Sequence, residues 1–204
     1  MICGVDEAGR GPLAGPVCAA AVVLPDDFPR DVLNDSKKLS ERKRETAAAL
    51  IYRKASAWGI GWAGHTEIDS INILQASLLA MTRAFNAMIK DADEPFLAEM
   101  LKAPSFEVVI DGCHCPAISC PKHDSVLYAG AFSCRALVKA DAQIPEVMAA
   151  SILAKTARDA IMRNFAVMYP DWGYEKHKGY PTKGHVAVLK RIGPSPIQRL
   201  TFHY

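Results

Sequence analysis

The chain has 204 residues, of which half are hydrophobic and 23% are charged. This length and balance are typical of one globular domain and exclude a chain that is disordered throughout. The 24 Lys and Arg residues outnumber the 22 Asp and Glu residues by only two, so the formal net charge is +2. If the protein binds nucleic acid, it must do so through locally clustered charge rather than a uniformly basic surface.

Membrane insertion and export are not indicated by the hydrophobic pattern. No run of 18 apolar residues is present, and the most apolar stretch, residues 17–24, has the length of a strand. The first residues show no basic leader before an apolar core, so we expect a cytoplasmic protein without membrane contacts. In a reducing compartment the six cysteines are expected to be free thiols.

Strands and helices are predicted from hydrophobic spacing and capping residues. Ser40 and Thr182 are expected to cap helices, Thr66 and Asp69 resemble a capping box, and Pro145 suits a first helical turn. In chain order we predict strands at 1–6 and 16–24, a helix at 41–57, a strand at 59–63 and a helix at 66–90. A strand at 106–110, a further short strand that closes at 137–138, and helices at 145–168 and 183–191 follow. This order predicts an α/β sheet domain with a helical C-terminal region.

Four carboxylates follow predicted strands. Asp6 and Glu7 end the first strand, Asp111 ends a buried strand, and Asp141 follows another apolar run. Converging carboxylates repel one another unless a hard divalent cation neutralises them, so this pattern indicates a metal site. The alternative is that each acid caps a turn. Asp6 and Glu7 can share one site only where the strand bulges or ends, because neighbouring residues point to opposite faces.

Six blocks of sequence resemble the bacterial type of ribonuclease HII. They are GVDEAGRGPLAGPV at 4–17, NDSKKLS at 34–40, EIDSINILQASLLAM at 67–81, VVIDG at 108–112, AASILAKTARD at 149–159 and HKGYPTKGH at 177–185. The blocks occur in order over nearly the whole chain. The resemblance implies a ribonuclease H-like mixed β-sheet flanked by helices, in a single domain over residues 1–204 with a basic helical extension at 170–204.

The resemblance also implies an activity. The family cleaves RNA in RNA–DNA hybrids and at ribonucleotides embedded in duplex DNA, on the 5′ side of the ribonucleotide, and leaves a 3′-hydroxyl and a 5′-phosphate. By position, Asp6, Glu7, Asp111 and Asp141 correspond to the four catalytic and metal-binding acids of the family, with Mn²⁺ or Mg²⁺ as cofactor. A two-metal in-line hydrolysis needs no side-chain nucleophile. We assign the bridging position between the two metals to Asp6.

Substrate contacts are implied for a second group of residues. Gly9, Arg10 and Gly11 correspond to the motif that contacts the 2′-hydroxyl, and Tyr180 to the tyrosine that packs on the adjoining deoxyribose. Lys37 and Lys178 are candidates for phosphate contacts. The alternatives are a simple glycine turn, a core aromatic and solvated surface lysines. Ser151 or Lys155 could support the acids indirectly.

The chain departs from the family pattern at three places. Lys139 and Ala140 precede Asp141 where the family usually has Gly before the acid, and Gln198 replaces a common His. The connection between Asp111 and Asp141 is long and contains Cys113, Cys115, Cys120 and His123. Their spacing is not a common zinc pattern, so we favour a reduced, irregular loop over a structural zinc.

Two other functions share this fold. One is a catalytically silent hybrid-binding protein, against which the intact acids argue. The other is a DNA nuclease or strand-transfer enzyme, from which Gly9, Arg10 and Gly11 would distinguish a ribonuclease. The resemblance implies a monomer, and the sequence has no coiled-coil heptads that would argue otherwise. The six basic residues that follow Glu175, with no acid among them, predict salt-dependent binding to the duplex.

Overall fold

The computed structural model describes residues 1–33, 39–102, 106–118 and 132–203. Three residues singled out in the sequence, Lys37, Cys120 and His123, lie outside these ranges. The strands are β1 (Ile2–Ala8), β2 (Val17–Val23), β3 (Ala57–Ala63), β4 (Phe106–Asp111) and β5 (Phe132–Leu137). The helices are α1 (Glu41–Lys54), α2 (His65–Asp91), α3 (Glu94–Lys102), α4 (Pro145–Met168), α5 (Tyr174–His177) and α6 (Lys183–Ile192).

The five strands form one mixed sheet in the order β3-β2-β1-β4-β5. β2 pairs antiparallel with both β1 and β3, whereas β4 pairs parallel with both β1 and β5. Because β1, β4 and β5 run in the same direction, their carboxyl ends lie at one edge of the sheet. Ligands bind at this edge in many open α/β sheets.

Helices cover both faces of the sheet. One core cluster joins β1 and β2 to α2 and α3, and a second joins β2 to α1 and α4. All seven residues of β2 are buried, which explains why its sequence is continuously apolar instead of alternating.

Gly4 allows α4 to lie directly against β1. A Cβ at this position would stand 2.1 Å from the carbonyl carbon of Glu146 in the first turn of α4. No side chain fits at that distance. The close approach carries the second turn of α4, with Ser151, towards the carboxyl end of β1.

Most of the predicted elements are confirmed. Helix α4 has the predicted bounds, and the backbone N–H groups of Lys43 and His185 donate to the side-chain oxygens of the predicted caps Ser40 and Thr182. The fold class is confirmed as a mixed sheet flanked by helices. Five cysteines within the described ranges are free thiols: Cys3, Cys18, Cys113, Cys115 and Cys134.

The strand predicted to close at 137–138 is β5, which begins at Phe132 and ends at Leu137. One prediction about local structure is wrong. The capping box predicted for Thr66 and Asp69 is absent: α2 starts one residue earlier, and the Glu67 carboxylate accepts the N–H of Gly64 at 2.8 Å. In the described ranges, no helix has both the length and the hydropathy that a bilayer span requires.

Candidate active site

Three aspartates converge at the carboxyl edge of the parallel strands. Asp6 lies near the end of β1, Asp111 is the last residue of the neighbouring β4, and Asp141 lies in a short 3₁₀ turn after β5. One carboxylate oxygen from each lies within 4.8 Å of the other two. We call these three residues the acidic cluster. Asp6 and Asp141 are buried, while Asp111 is partly exposed.

Backbone groups hold two of the carboxylates in place. The N–H of Glu7 donates to Oδ1 of Asp6 at 2.7 Å, and the N–H of Ala140 donates to Oδ1 of Asp111 at 2.8 Å. The second contact ties the end of β4 to the turn that carries Asp141. Lys139, which opens this turn, has a left-handed backbone with φ of 60°. That conformation favours glycine, so a non-glycine residue stays there only where its surroundings enforce it.

The electrostatics of the site disfavour the ionised acids. Burial raises the pKa of Asp6 well above its ordinary value, and the charges of Glu7 and Asp111 raise it further. A hydrogen bond from Ser151 opposes the rise, so the sequence-based suggestion that Ser151 supports the acids is confirmed. Burial also raises the pKa of Glu7, while Arg10 lowers it. Lys155 instead pairs with Asp159, at 2.7 Å.

Glu7 lies beside the acidic cluster and is not one of its three members. The register of β1 against β2 continues without a bulge through Asp6 and Glu7, and the strand ends one residue later, at Ala8. Oε1 of Glu7 is 3.4 Å from Nη1 of Arg10. Its Oε2 is buried and accepts no hydrogen bond from the described part of the chain.

These donors fit a hard divalent cation. Carboxylate oxygens are the ligands that Mg²⁺ and Mn²⁺ prefer, and four neighbouring acids have an excess of negative charge that a cation would offset. The buried Oε2 of Glu7 is an acceptor that still has coordination capacity.

The predicted substrate-binding residues are also brought together. Residues 9–16, which we call the glycine loop, connect β1 to β2, and the N–H of Leu13 donates to the carbonyl of Gly179 at 2.8 Å. A Cβ built on Gly11 would lie 3.9 Å from Cε1 of Tyr180. Tyr180 is 38% exposed, so it is not a core aromatic.

Basic groups surround the ring of Tyr180. Nζ of Lys155 and Cζ of Arg158 each lie 5.7 Å from its centroid. The ammonium of Lys178 donates to the carbonyl of Glu175 at the surface of the same turn. Its part in binding substrate stays a prediction.

Two residues at the site were missed from the sequence. Arg158 and Arg199 are fully buried, and their guanidinium groups bind carbonyls of the glycine loop. The available signals were weak. Arg158 lies in a helical block that also contains Lys155 and Asp159, so nothing in the pattern marks it as buried, and Arg199 follows one of the departures from the family pattern.

A mixed sheet of this topology, with acids converging where its parallel strands end, defines a ribonuclease H-like nuclease. The family model of ribonuclease HII matches residues 3–204. The ribonuclease HII of Treponema denticola is 50% identical over 203 residues, which are 99% of this chain and 98% of that protein. The ribonuclease HII of Dechloromonas aromatica is 46% identical over 99% of this chain and 90% of its own length.

Solved structures agree with this assignment. The crystal structure of ribonuclease H2 from Pyrococcus horikoshii superposes with a TM-score of 0.68 at 26% identity, covering 99% of this chain and 93% of that one. The chain belongs to the ribonuclease HII family, and it is therefore a metal-dependent ribonuclease H endonuclease of type 2.

Proposed function

We propose that this enzyme cleaves the RNA of RNA–DNA hybrids and also cuts duplex DNA at single embedded ribonucleotides. The cut falls on the 5′ side of the ribonucleotide and leaves a 3′-hydroxyl and a 5′-phosphate. The observation that carries the proposal is the position of the acidic cluster: it adjoins Glu7 and Arg10, where the glycine loop leaves β1. Groups suited to hydrolysis and groups suited to sugar recognition are thus neighbours.

The acids Asp6, Glu7, Asp111 and Asp141 would hold Mn²⁺ or Mg²⁺. Such cations would supply an activated water and stabilise the leaving 3′-oxygen. Asp6 would be the principal ligand, because it is more buried than Glu7 and lies close enough to both Glu7 and Asp111 for their charges to raise its pKa.

Other residues of the chain orient these groups. The hydroxyl of Ser151 and the N–H groups of Glu7 and Ala140 fix the carboxylates, so little reorganisation is needed when charge develops on the phosphate. Arg10 has a half-exposed guanidinium that suits a phosphate oxygen.

We propose that the glycine loop and Tyr180 contact the sugars of the substrate. Only the 2′-hydroxyl distinguishes a ribonucleotide from its deoxy counterpart, and the exposed Gly11 leaves room for a sugar to approach the backbone. Gly9 is buried against Arg158 and would take part through its peptide groups. The exposed ring of Tyr180 beside Gly11 offers a flat apolar face to the next deoxyribose.

Affinity for the duplex would come from a limited basic surface. Lys37 and Lys178 are candidate phosphate contacts, and residues 170–204 add four exposed basic side chains: Lys176, Lys183, Lys190 and Arg191. We expect binding to weaken as salt rises and the enzyme to act as a monomer.

Two duplexes that differ by one 2′-hydroxyl test the proposal. In Mn²⁺ or Mg²⁺, we expect the duplex with one ribonucleotide to be cut and the all-DNA duplex to stay intact. Equal cutting of both would contradict the substrate assignment. Asp111→Asn should abolish cleavage and keep both the fold and the binding of hybrid. Asp27→Asn, at an exposed acid, is the control and should leave cleavage, fold and binding unchanged.

A further inference from the structure

Two buried guanidinium groups hold the glycine loop through its backbone carbonyls. Arg199 donates to the carbonyls of Gly15 at 2.9 Å, Arg10 at 3.0 Å and Gly9 at 2.6 Å. Arg158 donates to the carbonyls of Pro16 at 2.9 Å, Ala14 at 3.2 Å and Lys178 at 3.1 Å. Both arginines are 0% exposed.

The two arginines overlap at the far end of the loop and differ at its start. Arg158 binds the carbonyls of Ala14 and Pro16 and the turn that carries Tyr180, and Arg199 binds Gly15 between them. Within the described ranges, the carbonyls of Gly9 and Arg10 accept side-chain hydrogen bonds only from Arg199. These two carbonyls belong to the peptide groups that link residue 9 to 10 and residue 10 to 11.

Fixing these carbonyls also fixes the N–H groups of the same peptides. No described peptide bond is cis, and in a trans peptide the N–H points away from the C=O. With the carbonyls of Gly9 and Arg10 turned inward onto Arg199, the N–H groups of Arg10 and Gly11 turn outward. Arg10 and Gly11 are exposed, and neither N–H donates to a protein group within the described ranges.

We propose that Arg199 is a positioning residue that aims the N–H groups of Arg10 and Gly11 at the ribonucleotide and so determines the preference for a ribose over a deoxyribose. This inference rests on the proposed function. A free glycine-rich loop would spend time in many peptide orientations, and three hydrogen bonds to one rigid, planar guanidinium remove that freedom.

The chain holds Arg199 in place through a partly exposed carboxylate on α2. Asp69 accepts hydrogen bonds from the N–H of Leu200 at 2.9 Å, and from the N–H and hydroxyl of Thr201 at 3.0 and 2.7 Å. This contact fixes the segment directly after Arg199. It gives a way to loosen Arg199 without removing a buried charge.

The test compares affinities in EDTA, where cleavage does not interfere. Fluorescence anisotropy would measure the affinity for two labelled duplexes that are identical except for one 2′-hydroxyl, with wild type, Arg199→Lys and Arg158→Lys. Lysine keeps the charge, but its single nitrogen cannot bind three separated carbonyls in a fixed plane. Thermal unfolding of each variant measures the structural cost separately.

We expect Arg199→Lys to reduce the preference for the ribonucleotide duplex by about tenfold, with most of the loss in affinity for that duplex. Arg158→Lys also loosens the turn that carries Tyr180, so it should lower the affinity for both duplexes by a similar factor and change the ratio of the two affinities less than Arg199→Lys does. Retention of the preference in Arg199→Lys, or equal losses in both variants, would overturn the role of Arg199.

If Arg199→Lys does not fold, Asp69→Asn tests whether the position of Arg199 determines the preference for the ribonucleotide duplex. Its site is at the surface, so the fold should persist, and we expect the preference to fall by about threefold. An unchanged preference would overturn the proposal. A wild-type protein with no preference would instead overturn the substrate assignment itself, and this inference with it.

Discussion

The acidic cluster and the glycine loop both contain buried charges, but the two regions differ in the groups that surround these charges. Around Asp6 the neighbouring charges are alike, and both burial and those charges raise its pKa. Around Arg158 and Arg199 the buried charges are of the other sign, and each guanidinium donates to three backbone carbonyls. The first region therefore needs a ligand, while the second is satisfied within the protein.

This difference assigns the two regions different roles: the acidic cluster performs the hydrolysis, and the buried arginines position the glycine loop. Burial lowers the pKa of Arg199 to about 9, so it still carries its charge at neutral pH and can orient the loop. In the acidic region, the buried Oε2 of Glu7 accepts no hydrogen bond from the described residues, and such an oxygen suits a cation. Variants in the two regions should accordingly fail in different ways.

The largest effect is expected for the acidic cluster. Asp6→Asn removes a charged ligand at the proposed bridging position, and we expect cleavage of a hybrid to fall at least about 10³-fold, with the fold retained. Steady-state kinetics with saturating Mn²⁺ would measure this loss. Asp26→Asn, at an exposed acid, is the control. A similar decrease in both variants would contradict a specific role for the acidic cluster in cleavage.

In the glycine loop, we expect the methyl group added by Gly9→Ala to destabilise the fold. Gly9 has φ of 103°, and an added Cβ would lie 2.1 Å from Nε of Arg158. We expect Gly9→Ala to lower the free energy of unfolding by about 2–3 kcal/mol in urea titrations.

Gly11→Ala is the matched control for this change. Its Cβ would meet nothing nearer than Tyr180, at 3.9 Å, and we expect a loss of less than about 1 kcal/mol. Equal losses at the two glycines would show that Arg158 does not constrain the loop as described.

A smaller effect is expected on the pH dependence of stability without metal. Because folding raises the pKa of Asp6, the folded protein binds protons more tightly than the unfolded chain. The stability that comes from this group is therefore complete below its ordinary pKa of 3.8 and is lost as the pH rises through the raised value.

Asn cannot ionise, so Asp6→Asn removes the loss of stability that the ionisation of Asp6 causes at higher pH. In EDTA we expect the variant to be more stable than wild type by about 1 kcal/mol at pH 8, with the difference shrinking towards pH 4. Chemical unfolding at several pH values measures it. A variant that is less stable than wild type at pH 8 would contradict the electrostatic description of the cluster.

The sequence was sufficient to predict most of the fold. Hydrophobic spacing and side-chain caps are local signals, so α4 and the starts of α1 and α6 were predicted correctly. The start of α2 was not, because Gly64 has no capping side chain and Asp69 binds the distant Leu200 and Thr201 instead. Contacts of this kind depend on tertiary structure and leave no local pattern.

The site was predictable to a similar extent. Acids at strand ends and the blocks resembling ribonuclease HII pointed to Asp6, Asp111 and Asp141, which converge in the structure, and to Gly11 and Tyr180, which are neighbours in it. Arg158 and Arg199 were not identified, since a buried arginine bound to carbonyls has no partner residue that a sequence pattern could reveal. Their roles follow only from the path of the backbone around them.

The most direct test of the account is to map the cut in a duplex that contains one ribonucleotide, at single-nucleotide resolution. If the acidic cluster performs hydrolysis beside a loop that recognises the ribose, we expect one cut, on the 5′ side of the ribonucleotide, with 3′-hydroxyl and 5′-phosphate ends. Cuts spread along the DNA, or a cut on the 3′ side of the ribonucleotide, would contradict it.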